Sequence, residues 1–282
     1  MQFSAARVAA VTPGTIPTSC DVVIIGAGPA GLAAGILAAE LGLDVVLLDE
    51  QSEPGGQIYR GITTAGASAR AILGDDFARG EALIRAFRRS GARYLPSATV
   101  WSVTREAGRH ELGVALRGLA WTLIASQVIL ATGALERPFP SPGWTLPGVM
   151  SAGAAQILLK TAALVPSGRL VLAGCGPLLY LVAWQLLKVG VEIAVLLDTV
   201  RAARYLRALP YLWGFLHSPY YAQGAEMLQK VRQQVPVVRG VVALSALGSA
   251  RLAAVRYTAN GKTATVPAEV LLLHQGIVRI ST

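Results

Sequence analysis

The turn Gly26-Ala27-Gly28-Pro29-Ala30-Gly31 has glycines where a backbone needs them to wrap around a pyrophosphate. Gly26 allows the tight turn, Gly28 lets the backbone approach phosphate oxygens, and Gly31 lets the next helix pack close to the sheet. A helix that begins at Pro29 and Ala30 directs free N–H groups and its positive dipole end at the phosphates. The turn is therefore predicted to bind a nucleotide.

Acidic residues follow at the spacing of a ribose-binding carboxylate. The apolar run Val45–Leu48 ends in Asp49 and Glu50, about 20 positions after Gly26. Asp49 is predicted to accept hydrogen bonds from the ribose hydroxyls, with Glu50 as the alternative. Together with the apolar run Val22–Ile25 before the turn, the pattern predicts a strand, turn, helix and strand.

The same pattern returns later in the chain. An apolar run, Leu170–Ala173, precedes Gly174 and Gly176, and a second acid, Asp198, ends the next apolar run. Leu179 replaces the third glycine, so this copy is degenerate. Gly174, Gly176 and Asp198 are predicted to bind NAD(P) or another adenine nucleotide, and a purely structural module stays open as the alternative.

The composition of the chain argues against several other classes of function. The 282 residues carry a net charge of +9, and 53% of them are hydrophobic. Because no base-reading motif accompanies the scattered arginines, nucleic acid is excluded as a partner. Cys20 and Cys175 form neither a C-x-x-C pair nor a metal-ligand spacing, so no metal site is expected and a reducing, cytoplasmic compartment is favoured. The uncharged run Leu170–Leu187 contains a glycine turn, so no transmembrane span is predicted.

The predicted fold is α/β, with two Rossmann-like dinucleotide-binding modules and a small antiparallel β-meander inserted in each. We expect a disordered lead-in at residues 1–19, a discontinuous first module at 20–150, a degenerate second module at 151–276 and a truncated tail at 277–282. The aromatic, basic run Arg201–Tyr221 fits either a core or an interface.

Four motifs together resemble the pyridine-nucleotide-disulfide oxidoreductase superfamily, and within it the FAD-containing subunits of opine oxidase, hydrogen cyanide synthase and dye-linked proline or hydroxyproline dehydrogenases. They are the turn at 26–31, Pro54-Gly55-Gly56-Gln57-Ile58-Tyr59-Arg60, Ala131-Thr132-Gly133-Ala134 and Pro147-Gly148-Val149-Met150.

The resemblance implies bound FAD. Gly26, Gly28 and Gly31 would line its pyrophosphate, and Asp49 or Glu50 its ribose. The flavin side would be lined by two further groups: Gly55, Gly56 and Gln57, and Ala131, Thr132 and Gly133.

The resemblance also implies an oxidoreductase subunit that takes part in dehydrogenating an amine, opine or imino acid and exchanges electrons with a second flavoprotein subunit. The missing C-x-x-C excludes dithiol chemistry. The late Gly-Asp motif of the family should follow His274-Gln275-Gly276, so truncation at Thr282 is expected. No catalytic residue can be assigned, and the three histidines are expected to be ordinary. The alternatives are an autonomous NAD(P)H-dependent flavin reductase and a non-catalytic scaffold, and membrane association through the complex stays open.

Overall fold

The computed structural model describes residues 16–201, 207–218 and 220–279. Most of the expected lead-in, and the end of the expected tail, lie outside these residues. The chain divides into two compact units: the first runs to Arg60 and resumes at Arg79–Gly133, and the second contains Gly61–Ala78 and the chain from Ala134. The α/β class is confirmed. The module boundary expected at residue 150 stays a prediction.

The first unit is a six-stranded sheet in the order β3-β2-β1-β6-β5-β4. Strands β3, β2, β1 and β6 are parallel, and β4, β5 and β6 form an antiparallel meander. The elements are β1 (Ser19–Ile25), α1 (Pro29–Glu40), β2 (Val45–Asp49), β3 (Arg93–Pro96), β4 (Ala98–Glu106), β5 (Arg109–Leu116) and β6 (Leu119–Leu130).

Strands β1 and β2 are central because their side chains are apolar on both faces. Val23, Ile24 and the run Val46–Leu48 are fully buried. Such continuous apolar runs are typical of parallel strands covered on both sides, whereas alternating strands belong to half-exposed sheets. The chain leaves β1 toward β2 on one side and returns to β6 on the other, so the carboxyl ends of β1 and β6 form a topological switch point, where a ligand crevice is expected.

The second unit has a five-stranded parallel sheet in the order β11-β10-β9-β15-β8, a three-stranded antiparallel sheet β12-β13-β14, and a two-stranded ribbon β16-β7. Its strands are β7 (Ala134–Glu136), β8 (Val149–Ser151), β9 (Leu170–Gly174), β10 (Ile193–Asp198), β11 (Val237–Arg239), β12 (Val241–Gly248), β13 (Leu252–Ala259), β14 (Lys262–Pro267), β15 (Val270–His274) and β16 (Ile277–Arg279).

The other α-helices among the described residues are α2 (Ala67–Leu73), α3 (Asp75–Arg89), α4 (Ala152–Ala162), α5 (Pro177–Lys188), α6 (Leu212–Leu216) and α7 (Tyr220–Gln234), and Leu209–Tyr211 forms a short 3-10 helix. The run Leu170–Leu187 folds as β9, a turn and α5, as expected from the glycines that interrupt it. Among the described residues, no helix has the length and apolar character needed to cross a membrane.

Candidate nucleotide-binding site

The glycine turn lies at the carboxyl end of β1, where the fold makes two of its glycines obligatory. Gly26 has a φ of 107°, and a Cβ on it would lie 2.3 Å from the Ala131 carbonyl oxygen. A Cβ on Gly31 would lie 1.9 Å from the Gly26 carbonyl oxygen. Because both obstacles are backbone atoms, neither position accepts a side chain without moving the turn.

Gly28 differs from these two glycines because the fold itself does not require it. Its φ of −72° and ψ of 179° suit any residue, and the nearest atom to a Cβ would be the Gly56 Cα at 4.0 Å. Gly28 caps α1 without a side-chain hydrogen bond, so the first N–H groups of the helix keep their capacity to donate. The space beside Gly28 and these donors together fit a pyrophosphate.

The Pro-Gly-Gly-Gln loop lies directly against this turn. The Gly55 N–H donates to the Ala27 carbonyl at 2.8 Å. A Cβ on Gly56 would lie 2.8 Å from the Gly28 Cα, so the two backbones pack with no side chain between them. The next residue, Gln57, is exposed. The loop is therefore positioned to continue the lining of the turn toward the rest of a bound dinucleotide.

The two acidic residues at the end of β2 have different surroundings. Asp49 accepts two backbone N–H groups, from Ala27 to its Oδ2 at 2.5 Å and from Gln51 to its Oδ1 at 2.7 Å. Within the part of the chain that the structure describes, the exposed Glu50 accepts one hydrogen bond, from the Gln51 side-chain amide at 3.3 Å. Each Asp49 oxygen thus holds the turn while keeping a second lone pair, and the exposed Glu50 is the carboxylate with the larger free acceptor capacity for ribose hydroxyls.

The end of β6 closes the other side of the crevice. The Ala131 N–H donates to the Ile25 carbonyl at 2.8 Å, which holds this strand end beside the turn. Thr132 is half-buried and Gly133 is exposed with a φ of 79°. The structure therefore brings the turn, the acidic pair, the Pro-Gly-Gly-Gln loop and the Ala-Thr-Gly segment to one edge of the first unit.

Sequence reasoning missed Tyr94 on β3. Its hydroxyl is inaccessible to solvent and has no hydrogen-bond partner among the described residues. Burial raises the pKa of Tyr94, and the carboxylates of Asp49 and Glu53 raise it further, so the hydroxyl stays protonated as a donor. An aromatic residue in a strand is an ordinary feature of a sequence, so the pattern could not mark Tyr94 as a buried hydrogen-bond donor.

In the second unit, Asp198, the acid equivalent to Asp49, is buried and accepts hydrogen bonds from other residues of the protein. Asp198 is only 2% exposed, and it accepts from the Tyr180 hydroxyl at 2.8 Å and from the Val200 N–H at 2.8 Å. The next residue, Thr199, accepts from the Gln275 side-chain amide through its hydroxyl at 3.0 Å. These partners and the burial of Asp198 thus leave a ribose little access to the acid.

The turn before α5 also differs from the first turn. Gly176 has a φ of 88°, whereas its counterpart Gly28 has a φ of −72°. Leu179, in the place of the third glycine, is fully buried in a cluster that includes the small residues Ala152 and Ala155 of α4. A changed turn and small neighbours accommodate the leucine that replaces the third glycine.

An acid–base pair in the second unit, with His274 buried and Glu136 partly buried, was also missed. Glu136 and His274 are 138 positions apart in the sequence, and His274 Nδ1 lies 2.5 Å from Glu136 Oε1. Glu136 also accepts the Gly153 N–H at 2.8 Å, at the start of α4. Burial raises the pKa of Glu136, but hydrogen bonds from His274, Ser151 and Gly153 outweigh it and hold the pKa below its usual value.

The cysteines show no redox pair. Cys20 is buried, and burial, reinforced by the Asp44 carboxylate, raises the pKa of its thiol to about 11. Cys175 contacts the Gln275 side-chain oxygen at 3.5 Å. A thiol with a raised pKa is a poor nucleophile, so Cys20 is suited to packing. The described residues contain no cluster of acidic, His or Cys side chains able to hold a metal ion.

Comparison with known proteins identifies close relatives. The sequence profile of the pyridine nucleotide-disulphide oxidoreductase family matches residues 20–210. An opine oxidase subunit from Agrobacterium tumefaciens (strain Ach5) is 46% identical over 263 residues, covering 92% of this chain and 52% of the relative. Hydrogen cyanide synthase subunit HcnB of Pseudomonas aeruginosa is 38% identical, covering 66% of this chain and 40% of the relative.

Among solved structures, T. acidophilum thioredoxin reductase superimposes with a TM-score of 0.68 at 16% identity, covering 93% of this chain and 79% of that one. This likeness concerns the fold alone. The chain spans about half the length of the curated relatives that it matches.

Proposed function

Because the chain belongs to the pyridine nucleotide-disulphide oxidoreductase family, we propose that its first unit binds FAD and that it is the flavin-carrying subunit of an amine-oxidising enzyme. The observation that carries this proposal is the open space beside Gly28 at the carboxyl ends of β1 and β6, together with the start of α1 and the exposed carboxylate of Glu50. The substrate class is an amine, opine or imino acid, in line with the names of the relatives.

Each group at the crevice has a defined part in this proposal. Backbone atoms of Gly26, Gly28 and Gly31, with the N–H groups of α1, hold the pyrophosphate. Glu50 accepts hydrogen bonds from the ribose, while Asp49 fixes the turn. The flavin side is lined by residues of the two remaining segments, namely Gly55, Gly56, Gln57, Ala131, Thr132 and Gly133.

The protein and the cofactor divide the chemistry. When bound, FAD supplies the two-electron redox step. The residues of this site bind and orient the cofactor and exclude water from it. We assign none of them an acid–base role. In the proposed complex a partner flavoprotein subunit dehydrogenates the C–N bond, and this chain passes the electrons onward.

The proposal also includes the finer detail of the fold. We propose that each parallel sheet is a Rossmann-like dinucleotide-binding module that carries a small antiparallel meander, β4-β5-β6 in one and β12-β13-β14 in the other. The second module is degenerate. Its occupied Asp198 and Thr199 favour a module that takes no pyridine nucleotide, which weighs against an autonomous NAD(P)H-dependent flavin reductase.

The proposal places the assembled enzyme in the cytoplasm, with any membrane contact made through the complex. The names of the relatives support a multi-subunit enzyme, since each of them is named as a subunit.

A matched pair of variants tests the cofactor site. Glu50→Ala should lower FAD affinity by about tenfold, equal to about 1.4 kcal/mol, without changing the thermal midpoint of the apoprotein. Asp49→Asn should lower the thermal midpoint itself, because Asp49 holds the Ala27 and Gln51 N–H groups. Titration of apoprotein with FAD, followed by flavin fluorescence, measures the affinity, and calorimetry of the apoprotein measures the midpoint.

Two results would contradict the proposal. If the purified chain, and the chain with its partner, showed no absorbance near about 450 nm, the non-catalytic scaffold would be favoured. If Glu50→Ala bound FAD as tightly as the unmodified protein, the ribose assignment would be wrong.

A further inference from the structure

An exposed group of aromatic and aliphatic side chains projects from the second unit. We define the aromatic segment as residues 207–221, of which 207–218, 220 and 221 are described. Tyr211 is 77% exposed and Trp213 is 75% exposed. The other exposed apolar members are Leu209, Leu212, Phe215, Leu216, Tyr220 and Tyr221. Soluble proteins rarely leave so many large apolar side chains together in water, so the segment marks a binding surface.

The segment is organised by its own contacts. The rings of Trp213 and His217 lie 4.6 Å apart, and the rings of Phe215 and Tyr221 meet edge to face at 5.8 Å. The His217 ring also contacts the Trp213 carbonyl at 2.9 Å, and the Ser218 hydroxyl donates to the Phe215 carbonyl at 2.8 Å. These contacts preorganise the exposed anchors, which lowers the entropy cost of binding.

The composition matches the centre of a protein–protein interface. From Thr199 to Ala225 the sequence contains three arginines and no Lys, Asp or Glu. Interface centres are enriched in Tyr, Trp, Phe and Arg and depleted of Lys, Glu and Asp, and hot spots favour Trp, Tyr and Arg. Arg207 within the segment, Arg201 before it and the net charge of +9 favour an acidic partner surface, since opposite potentials steer association.

Other occupants fit less well. A second copy of this chain would bring the same arginines and a net charge of +9, so the two surfaces would repel each other. A lipid surface is typically bound by an extended amphipathic helix rich in Lys and Arg. In contrast, α6 has five residues and exposes apolar side chains all round.

We propose that the aromatic segment is the docking site for the partner flavoprotein subunit, with Tyr211 and Trp213 as anchors in an apolar pocket rimmed by carboxylates. This rests on the proposed function for the identity of the partner. Arg207, which is exposed and lies four positions before Tyr211 in the sequence, contributes the charge that meets the rim.

The test uses the holoenzyme isolated from its native cells through a tag on this chain. A photo-crosslinking amino acid is placed at position 213, and at Trp101 as the control. Trp101 is 65% exposed, on β4 of the first unit. Mass spectrometry should identify the product at 213 as an acidic flavoprotein subunit, and position 101 should give no such product. Crosslinking at 213 to phospholipid, to a second copy or to this chain alone would overturn the proposal.

Substitutions give a second, independent readout. Trp213→Ala and Arg207→Glu should each lower the amount of co-purified partner subunit by about tenfold, whereas Trp101→Ala should not. Flavin content and thermal midpoint show that the variants are folded. Undiminished partner in both variants would disprove the docking site.

Amine-dependent dye reduction separates the two proposals. If variants at 213 lose the partner but the intact complex oxidises no amine, the docking site holds and the proposed function fails. If the intact complex oxidises amines and the variants keep the partner, the proposed function holds and the docking site fails.

Discussion

Gly28 and Gly31 are three positions apart in one turn, yet they meet different surroundings. A Cβ on Gly31 would collide with a backbone oxygen, whereas a Cβ on Gly28 would collide with nothing. The fold therefore explains Gly31 by itself, and the absence of a side chain at Gly28 has a use only when a ligand occupies the space. Asp49 and Glu50 differ in the same way, since Asp49 fixes the turn whereas Glu50 faces solvent.

The first prediction compares these two glycines. Gly28→Ala should leave the thermal midpoint of the apoprotein within about 2 °C of the unmodified apoprotein but lower FAD affinity by at least about tenfold, because the methyl group would stand where the pyrophosphate contacts backbone. Gly31→Ala should destabilise the fold by about 1–3 kcal/mol or more through overpacking. Calorimetry and flavin titration measure the two effects. Stoichiometric, tight FAD in Gly28→Ala would show that the site is misassigned.

The second prediction concerns the partly buried Glu136–His274 pair. The folded-state pKa of Glu136 is lowered, so its stabilisation is fully present above the unfolded value of about 4.3 and is lost as the pH falls through the folded value. Glu136→Gln should lower the free energy of unfolding by about 1–3 kcal/mol at neutral pH, and the difference should shrink in acid.

Urea unfolding at about pH 7 and about pH 3.5 measures this effect. Glu226→Gln is the matched control, since Glu226 is an exposed residue paired with Lys230 on the surface of α7. A deficit for Glu136→Gln that is equal at both pH values would show that its charge is not responsible.

At the scale of elements, the two strand–turn–helix units look alike in sequence but differ in detail. In the first, α1 packs through Gly31, and the acid at the end of β2 is followed by the solvent-facing Glu50. In the second, α5 packs through Leu179, its Tyr180 hydroxyl bonds Asp198, and Thr199 follows that acid. The same order of elements therefore supports nucleotide binding in one case and internal hydrogen bonding in the other.

The third prediction follows from this difference. NADH or NADPH should reduce the flavin slowly or not at all, because Asp198 and Thr199 already bond Tyr180, Val200 and Gln275. Anaerobic mixing with micromolar NADH, followed by absorbance near about 450 nm, provides the measurement. Rapid bleaching would favour the autonomous reductase. Dithionite serves as the control that the bound flavin can be reduced.

At the scale of the molecule, apolar surface at the edge of the first sheet stays uncovered. Residues Gln127–Leu130 of β6 pair with β1, and no other described strand pairs with them. Ile129 and Leu130 are exposed there. An open, apolar strand end can pair with another chain, which makes it a site of aggregation or of assembly.

The fourth prediction is that the 282-residue chain expressed alone binds FAD weakly and aggregates. Leaving a few hundred Å² of apolar surface in water costs several kcal/mol at about 25 cal/mol per Å², comparable with the stability of a domain. An extended chain with the additional length of the relatives, together with a partner subunit, should correct both defects.

Size-exclusion chromatography with flavin absorbance compares the two preparations. A monodisperse and fully flavinylated short chain would refute this prediction and show that the exposed edge needs no cover.

The sequence by itself determined the elements around the first turn. Apolar runs, glycines and a following acid are local signals, since neighbouring residues encode strand, turn and helix; thus β1, α1 and β2 lie where the pattern predicted. The local pattern also contained both Asp49 and Glu50, but it could not assign their roles. The roles depend on which backbone N–H groups the fold brings to each carboxylate.

Only the tertiary structure decided the pairs that lie far apart in the chain. Glu136 and His274 are separated by 138 positions, and no spacing rule connects them. They meet because β7 pairs with β16, which follows β15 and its terminal His274. Likewise Tyr180 reaches Asp198 only because α5 packs on the sheet that contains β10. Sequence signals are short-ranged, whereas these hydrogen bonds form only after the sheet has placed distant strand ends side by side.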